Sequence, residues 1–166
     1  MRTPSFVVVA ALALGACDGR THFLLQSATT PSAANVLVRV PATSLDPQVI
    51  VLQPLVGFVC PVLPAFDTTF RLVIAEPAAD MFLNEVRLRL VGGAGIGGET
   101  IVIPRPDLNR RFGSTLILSG TQRAFDFDPR FDCFTALPTT FIVDLFLVDR
   151  SGAIHPLTLT ASVKRN

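Results

Sequence analysis

Three glycines of the chain have a spacing that occurs in phosphate-binding loops. Gly93, Gly95 and Gly98 match the pattern G-x-G-x-x-G. A dinucleotide site needs a helix directly after these glycines, because the N-terminus of that helix binds the pyrophosphate. Residues 99–103 (ETIVI) instead have the composition of a β-strand. The glycines therefore predict a mobile hairpin loop, which is available as a contact surface.

Three aspartates form the one candidate metal site. Asp126, Asp128 and Asp132 lie in the segment DFDPRFD, and spaced carboxylates are ligands that calcium favours. The segment lacks the glycine and the terminal glutamate of an EF-hand loop. Arg123 and Arg130 are simpler ionic partners for these carboxylates. We therefore predict no metal and no other cofactor.

The chain has few residues suited to acid–base or nucleophilic catalysis. His22 and His155 are its two histidines, the side chains that titrate near neutral pH. No Gly-x-Ser-x-Gly elbow occurs, and neither Cys60 nor Cys133 is flanked as a nucleophile is. The sequence predicts that the protein is not an enzyme, and a hydrolase with scattered catalytic residues is the enzymatic alternative.

The N-terminus has the three parts of an export signal. Arg2 supplies a positive charge, and residues 6–14 (FVVVAALAL) are an unbroken apolar run. Gly15 and Ala16 are the small residues that precede Cys17. A bilayer-spanning helix needs about 20 apolar residues, so this run is too short to span a membrane.

Leu14, Gly15, Ala16 and Cys17 resemble the lipobox of bacterial lipoproteins at each position. The alternative is an ordinary signal peptide followed by a chance cysteine. The resemblance implies a signal peptide over residues 1–16, a lipid on Cys17, and a flexible tether over residues 17–34. The lipid is a diacylglyceryl group, often with a further acyl chain such as palmitate. Each buried CH₂ contributes about 0.8 kcal/mol, so two or three chains anchor a protein stably.

The lipid anchor accounts for one of the three cysteines. Cys60 and Cys133 then remain as a pair in an oxidising compartment, where disulfides persist. A bridge between them would contribute on the order of 4 kcal/mol in the chain-entropy account. The alternative is two buried free thiols. Neither cysteine has a Cys or His neighbour at metal-ligand spacing.

Charge and aromatic composition disfavour two classes of partner. The chain has 14 Lys and Arg against 13 Asp and Glu, and loss of Arg2 with the signal peptide makes these numbers equal. A neutral chain offers no electrostatic case for nucleic acid. The chain also has no Trp and no Tyr, the rings that sugar sites and interface hot spots favour.

Residues 35–166 follow a period of two, which indicates β-strands. In residues 85–90 three apolar side chains alternate with Glu85, Arg87 and Arg89, as in a strand with one buried and one wet face. Arg87 and Arg89 are a candidate protein contact, and the alternative is a solvated charged face. Further strands are expected at residues 36–40, 48–53, 55–60, 70–74, 100–103, 115–118, 125–127, 141–148 and 157–163. A helical turn is expected at 107–112, started after Pro106 and stopped by Gly113, and a turn at 149–152 precedes the last strand, with Gly152 able to take a positive φ.

These elements predict an all-β domain over residues 35–166. Seven to nine short strands, separated by Pro and Gly, indicate an antiparallel β-sandwich. The domain resembles the immunoglobulin-like class of exported bacterial domains, although it lacks their buried Trp. The thirteen prolines argue against long helices. Pro156 is expected near the start of its strand or on a sheet edge.

Together these patterns predict an exported lipoprotein of the bacterial cell envelope. The lipid would hold it on the inner or outer membrane, with the domain exposed to the periplasm or the cell surface. Its expected role is a non-catalytic structural or protein-interaction module with an envelope protein as partner and no nucleic acid. The alternative is a periplasmic lipoprotein that binds a small ligand in an apolar pocket between the sheets or under the glycine loop.

Overall fold

Eleven β-strands and one short helix make up the part of the chain that the computed structural model describes. This part comprises residues 40–92 and 97–165, with the backbone alone at 97–99, and it lies within the unit Leu37–Asn166. The elements are β1 (Ala42–Asp46), β2 (Val49–Pro54), β3 (Phe66–Asp67), β4 (Phe70–Ala75), β5 (Met81–Gly92), β6 (Gly97–Pro104), α1 (Arg105–Phe112), β7 (Leu116–Ile117), β8 (Gln122–Phe127), β9 (Arg130–Phe131), β10 (Pro138–Asp149) and β11 (Ile154–Arg165). The all-β prediction is confirmed. The signal peptide, the lipobox and residues 36–39 of the expected strand at 36–40 lie outside the described residues, and the first described strand begins at Ala42.

The two central strands are joined by matched apolar faces. Leu90 pairs with Phe141, Leu88 with Val143, and Val86 with Leu145 in the antiparallel register of β5 and β10. All six side chains are fully buried. Burying a side chain of this size contributes about 1.5–3 kcal/mol, so the alternation read from the sequence fixes both the face and the register.

The hairpin that follows β10 forms as the sequence indicates. Gly152 has a φ of 87°, the left-handed conformation that the turn requires. Asp149 stabilises the turn, because its Oδ1 accepts hydrogen bonds from the backbone N–H of Ser151 at 2.8 Å and of Ala153 at 3.0 Å. Pro156 pairs with Phe146 in the first half of β11, where β10 is the neighbouring strand.

The strands form two sheets. The small sheet has the order β1-β4-β8 and is antiparallel, and the large sheet has the order β6-β5-β10-β11-β2-β3-β9 with β7 also paired to β5. The prediction of an antiparallel architecture is wrong for one pair, because β2 lies parallel to β11. Two parallel strands that are neighbours in a sheet must be joined by a long crossover connection. Here most of the sequence of the domain lies between β2 and β11. Alternating apolar residues do not encode strand direction.

One hydrophobic core includes side chains from both sheets. Phe70 of the small sheet stacks on Phe127 at a ring-centroid distance of 5.2 Å and meets Phe141 of the large sheet edge-on at 5.1 Å. The helix α1 closes one side, with Leu108 fully buried and Phe112 in edge contact with Phe125 at 5.1 Å. Pro106 in the first turn and Gly113 beyond the last turn bound this helix, as the sequence predicts.

Two expectations about strands are wrong. The described residues contain eleven strands rather than seven to nine, because β3, β7 and β9 have only two residues each. The strand β7 falls within the expected strand at 115–118, whereas β3 and β9 are too short to leave a periodic pattern in the sequence. Residues 55–60 form a loop rather than a strand. Pro54 and Pro61 have no backbone N–H to donate to a ladder, and Gly57 turns the chain with a φ of 92°.

Candidate functional site

The predicted disulfide is present between Cys60 and Cys133. Their Cα atoms are 5.5 Å apart, and 73 residues separate them in sequence. The bridge joins the loop after β2 to the loop after β9. Beside it the backbone N–H of Leu63 donates to the carbonyl of Phe134 at 3.1 Å. The structure therefore contains the bridged pair rather than two free thiols.

The predicted arginine surface lies on the polar face of β5, where both side chains have partners within the chain. Arg87 pairs with Glu85, and its guanidinium lies 4.7 Å from the ring centroid of Phe146. Arg89 donates to Asp144 at 2.7 Å, in an ion pair with both side chains partly exposed. Exposed pairs of this kind contribute about 0–1 kcal/mol. The arrangement corresponds to the solvated charged face that was the alternative interpretation.

The structure describes only part of the glycine pattern. Gly93 and Gly95 lie outside the described residues, whereas Gly98 belongs to β6. Val91 pairs with Gly97, so β5 and β6 are antiparallel neighbours joined through the glycine-rich segment. A strand follows the glycines, which excludes the strand–loop–helix geometry of a dinucleotide site.

The three aspartates do not form a metal site. Asp126 accepts a hydrogen bond from Arg71 Nε at 2.7 Å, Asp128 pairs with Arg111, and Asp132 is exposed next to Cys133. No group of three or more His, Cys, Asp or Glu side chains that could hold a metal ion occurs in the described residues. Two of the three carboxylates, Asp126 and Asp128, are thus paired with arginines, although not with the arginines that the alternative named. The arginines come from β4 and α1, not from the neighbouring positions 123 and 130.

These two ion pairs line an open cleft of about 510 Å³ between the end of β1 and the end of β8. The hydrogen bond from Arg71 holds the pKa of Asp126 below its usual value, and Asp126 raises the pKa of Arg71 in return. A carboxyl group that stays ionised at neutral pH is a poor proton donor. The lining residues include neither His nor Cys. The cleft therefore presents paired charged groups that can bind polar or charged molecules.

Sequence reasoning missed this cleft because its charges come from distant positions. Arg71 and Asp126 are 55 residues apart and meet only because β4 pairs with β8. The alternation of Arg71 with buried Phe70 and Leu72 did indicate an exposed side chain. No local pattern indicated its partner.

His155 lies close to an aspartate and a serine, the residue types of a catalytic triad, but the three side chains are not connected in the order that a triad requires. Its Nε2 is 2.9 Å from Oδ2 of Asp149, while the hydroxyl of Ser151 donates to Oδ1 of the same carboxylate. The bond from Ser151 and then the contact with His155 lower the pKa of Asp149. In a catalytic triad the hydroxyl faces the histidine and not the acid. This group stabilises the β10–β11 turn.

A further feature that the sequence did not reveal is an exposed apolar loop, residues 56–62 (VGFVCPV). Val56 and Val59 are each 99% exposed, Val62 is 64% exposed and Phe58 is 60% exposed. In the sequence these residues resemble a buried strand, because apolar runs in strands and in exposed loops have the same composition. Only the tertiary structure shows that they face outward.

The described residues contain no helix that is long and apolar enough to cross a membrane. Cys17, the candidate lipidation site, and His22 both lie outside the described residues. The lipobox stays a prediction from the sequence.

Comparison with known proteins identifies no family. No family model matches the sequence, and no curated protein matches it. The chain is similar to an X-ray structure of a Northeast Structural Genomics Consortium target, with 9% identity and a TM-score of 0.49 over 75% of this chain and 88% of that one. A Bordetella pertussis protein assigned as ApaA has 10% identity and a TM-score of 0.46 over 78% of this chain and 99% of that one.

A third solved structure is the Pseudomonas fluorescens alkylpurine DNA glycosylase AlkC bound to DNA with an abasic site analogue. Its identity is 11% and its TM-score is 0.36, over 74% of this chain and 30% of that one. At these identities and TM-scores the similarities assign neither a family nor a function to this chain.

Proposed function

We propose that this chain is an exported bacterial lipoprotein, anchored through Cys17, whose domain is a non-catalytic structural or interaction module of the cell envelope. The observation that carries the proposal is the use of the three cysteines. One stands at the end of a lipobox, and the other two form a disulfide. Disulfides persist in oxidising compartments, so the bridge supports export of the domain.

The surface chemistry supports a role without catalysis. Near the β10–β11 turn the hydroxyl of Ser151 donates to the ionised Asp149 and not to His155, so it is not arranged as a nucleophile with its base. The arginines of β5 and of the cleft are engaged in ion pairs on the surface. An arginine in such a pair can release its own carboxylate and bind one from a partner, so these arginines are suited to recognising a charged partner surface.

We also infer that the two sheets form a sandwich of the immunoglobulin-like class. The inference is supported by the shared core, in which Phe70 of the small sheet contacts Phe141 of the large sheet. Inward-facing side chains from two sheets that fill one core are the defining feature of a sandwich.

The alternative function, a small-ligand-binding lipoprotein, is favoured by one observation. The cleft that contains Arg71 and Arg111 has the volume of a small-ligand site, about 510 Å³. Its lining is charged and open, unlike the apolar pocket that the sequence suggested. A ligand there would carry charge of its own, and a thermal-shift panel of charged metabolites tests this function.

The intact mass of the protein extracted from membranes tests the main proposal. We expect a chain that begins at Cys17 with added acyl mass, and a gain of two hydrogens after reduction. The variant Cys17→Ser should be released from membranes or remain as uncleaved precursor, because it lacks the thiol that accepts the lipid. A mature natural chain without acyl groups, or unchanged membrane attachment of a variant that has been cleaved to its mature form, would contradict the anchor. Crosslinking in intact membranes then tests for a specific envelope partner.

A further inference from the structure

The apolar loop, residues 56–62, exposes more hydrocarbon than a free surface loop normally does. Four of its seven residues, Val56, Phe58, Val59 and Val62, are apolar side chains with 60% or more of their surface exposed. The segment has no charged side chain and no side-chain hydroxyl or amide. Contiguous exposed apolar surface of this kind marks sites of interaction with a protein or a membrane.

Three constraints hold the loop in its exposed conformation. At its base the backbone N–H of Leu55 donates to the carbonyl of Ala65 at 2.9 Å. On the far side the backbone N–H of Leu63 donates to Phe134, and between these points the disulfide fixes Cys60. Both ends and the middle of the loop are thus tied to the folded domain, and these ties restrain the conformation in which the valines are exposed.

We propose that the apolar loop inserts into the surface of a lipid bilayer and forms a second membrane contact beside the lipid anchor. The loop itself has no charged, hydroxyl or amide side chain that would orient a protein partner through hydrogen bonds. A lipid bilayer, in contrast, requires only that the apolar side chains protrude far enough to be buried in it. Transfer of each fully exposed valine into hydrocarbon should strengthen binding on the order of tenfold.

The chain before the domain provides the route to the membrane, and to that extent the inference rests on the proposed anchor. The predicted tether, residues 17–34, can span at most about 60 Å at roughly 3.4 Å per residue. Such a length allows any side of the domain to reach the bilayer. Anchoring raises the local concentration of the domain at the membrane, so a weak contact suffices to select one side.

The position of the loop in the fold supplies a matched control. Because β2 lies parallel to β11, with Leu52 opposite Arg165, the loop after β2 lies at the C-terminal end of β11. Ile154 begins β11 at its other end and is 62% exposed, close to the 60% of Phe58. A strand rises about 3.3 Å per residue, so the two ends of β11 are roughly 36 Å apart.

Tryptophan fluorescence tests the proposal, since the natural chain has no Trp. The full mature protein carrying Phe58→Trp is reconstituted into phosphatidylcholine vesicles, with and without brominated acyl chains, and Ile154→Trp is the control. We expect blue-shifted emission and bromine quenching for Phe58→Trp, and water-exposed, unquenched emission for Ile154→Trp. Adding Val59→Asp should abolish the quenching of Phe58→Trp. Because the loop is uncharged, salt should not alter the quenching.

The outcomes separate the loop from the anchor. Protein that floats with vesicles while Phe58→Trp remains unquenched overturns the loop proposal and leaves the anchor intact. If the emission of Phe58→Trp is blue-shifted only at high protein concentration and is not quenched by brominated lipid, a second copy of the chain covers the loop. This result also overturns the proposal. If the mature chain proves to lack acyl groups, the same protein is mixed with the same vesicles. Quenching of Phe58→Trp then supports the loop contact without the anchor, and absence of quenching refutes it.

Discussion

Removal of the bridge between Cys60 and Cys133 should lower the free energy of unfolding by about 4 kcal/mol. The two cysteines are 73 residues apart, and in the chain-entropy account a cross-link over such a distance stabilises by restricting the unfolded chain. Their Cα separation of 5.5 Å lies within the range of ordinary disulfides. The double variant Cys60→Ala/Cys133→Ala should therefore lose close to the full entropic contribution.

The loss should appear both globally and locally. A change of 1 kcal/mol shifts the melting temperature of a domain of this size by about 3 °C, so the double variant should melt roughly 10 °C below the natural protein. The short strand pair β3–β9 lies next to the bridge, with Phe66 opposite Phe131. Two-residue strands have little stability of their own, so amide exchange at these residues should increase more than in β5 or β10.

Thermal denaturation followed by circular dichroism, with and without reductant, measures the effect. Reductant should lower the melting temperature of the natural protein to that of the double variant and leave the variant unchanged. Equal melting temperatures for the natural protein under oxidising and reducing conditions would refute the reasoning, provided that mass spectrometry shows that reduction is complete.

Three further predictions concern the core, the turn and the charged face. Phe141→Ala should destabilise the domain by about 3–5 kcal/mol, because the fully buried ring leaves a cavity beside Phe70, whereas Phe58→Ala in the exposed loop should change stability by less than about 0.5 kcal/mol. The pKa of Asp149 is lowered in the folded state, so its stabilisation is present at neutral pH and is lost as the pH falls through the folded-state pKa. Asp149→Asn should therefore melt below the natural protein at pH 7, and the difference should narrow below about pH 4, where the unfolded-state carboxyl binds its proton. Arg89→Ala should cost less than about 1 kcal/mol, because its ion pair with Asp144 is partly exposed.

Urea or heat denaturation of the variants tests these three predictions, and for each one a particular result would contradict it. Comparable losses for the two phenylalanine variants would mean that the loop is packed in solution. A gap between Asp149→Asn and the natural protein that is constant from pH 7 to pH 2 would mean that the turn does not depend on the ionised carboxylate. A loss of several kcal/mol for Arg89→Ala would assign a structural role to the charged face.

The sequence predicted those parts of the fold that depend on local pattern. Alternation in residues 85–90 placed Val86, Leu88 and Leu90 in the core, and the turn residues before Gly152 predicted the β10–β11 hairpin. Pro106 and Gly113 bounded the single helix. In each case the signal and the structure that it specifies lie within about a dozen residues, so propensity and periodicity are sufficient.

The charged cleft could not be predicted, because its pairs form between distant strands. Arg71 reaches Asp126 through the β4–β8 pairing, and no feature near either residue indicates the other. The same limit applies to the parallel neighbours β2 and β11, since a period of two is identical for both strand directions.

By itself the sequence determined the all-β class, the core faces of the long strands, the hairpin and the helix. It favoured the pairing of Cys60 with Cys133, on the expectation that Cys17 carries a lipid, and left two free thiols as the alternative. The tertiary structure alone decided that residues 56–62 lie outside the core. A short apolar run is compatible with a buried strand and with an exposed loop, and the choice depends on which surfaces the rest of the chain leaves to cover it. Here the core consists of residues from other parts of the chain, and the loop of residues 56–62, which contains the bridged Cys60, lies at the surface.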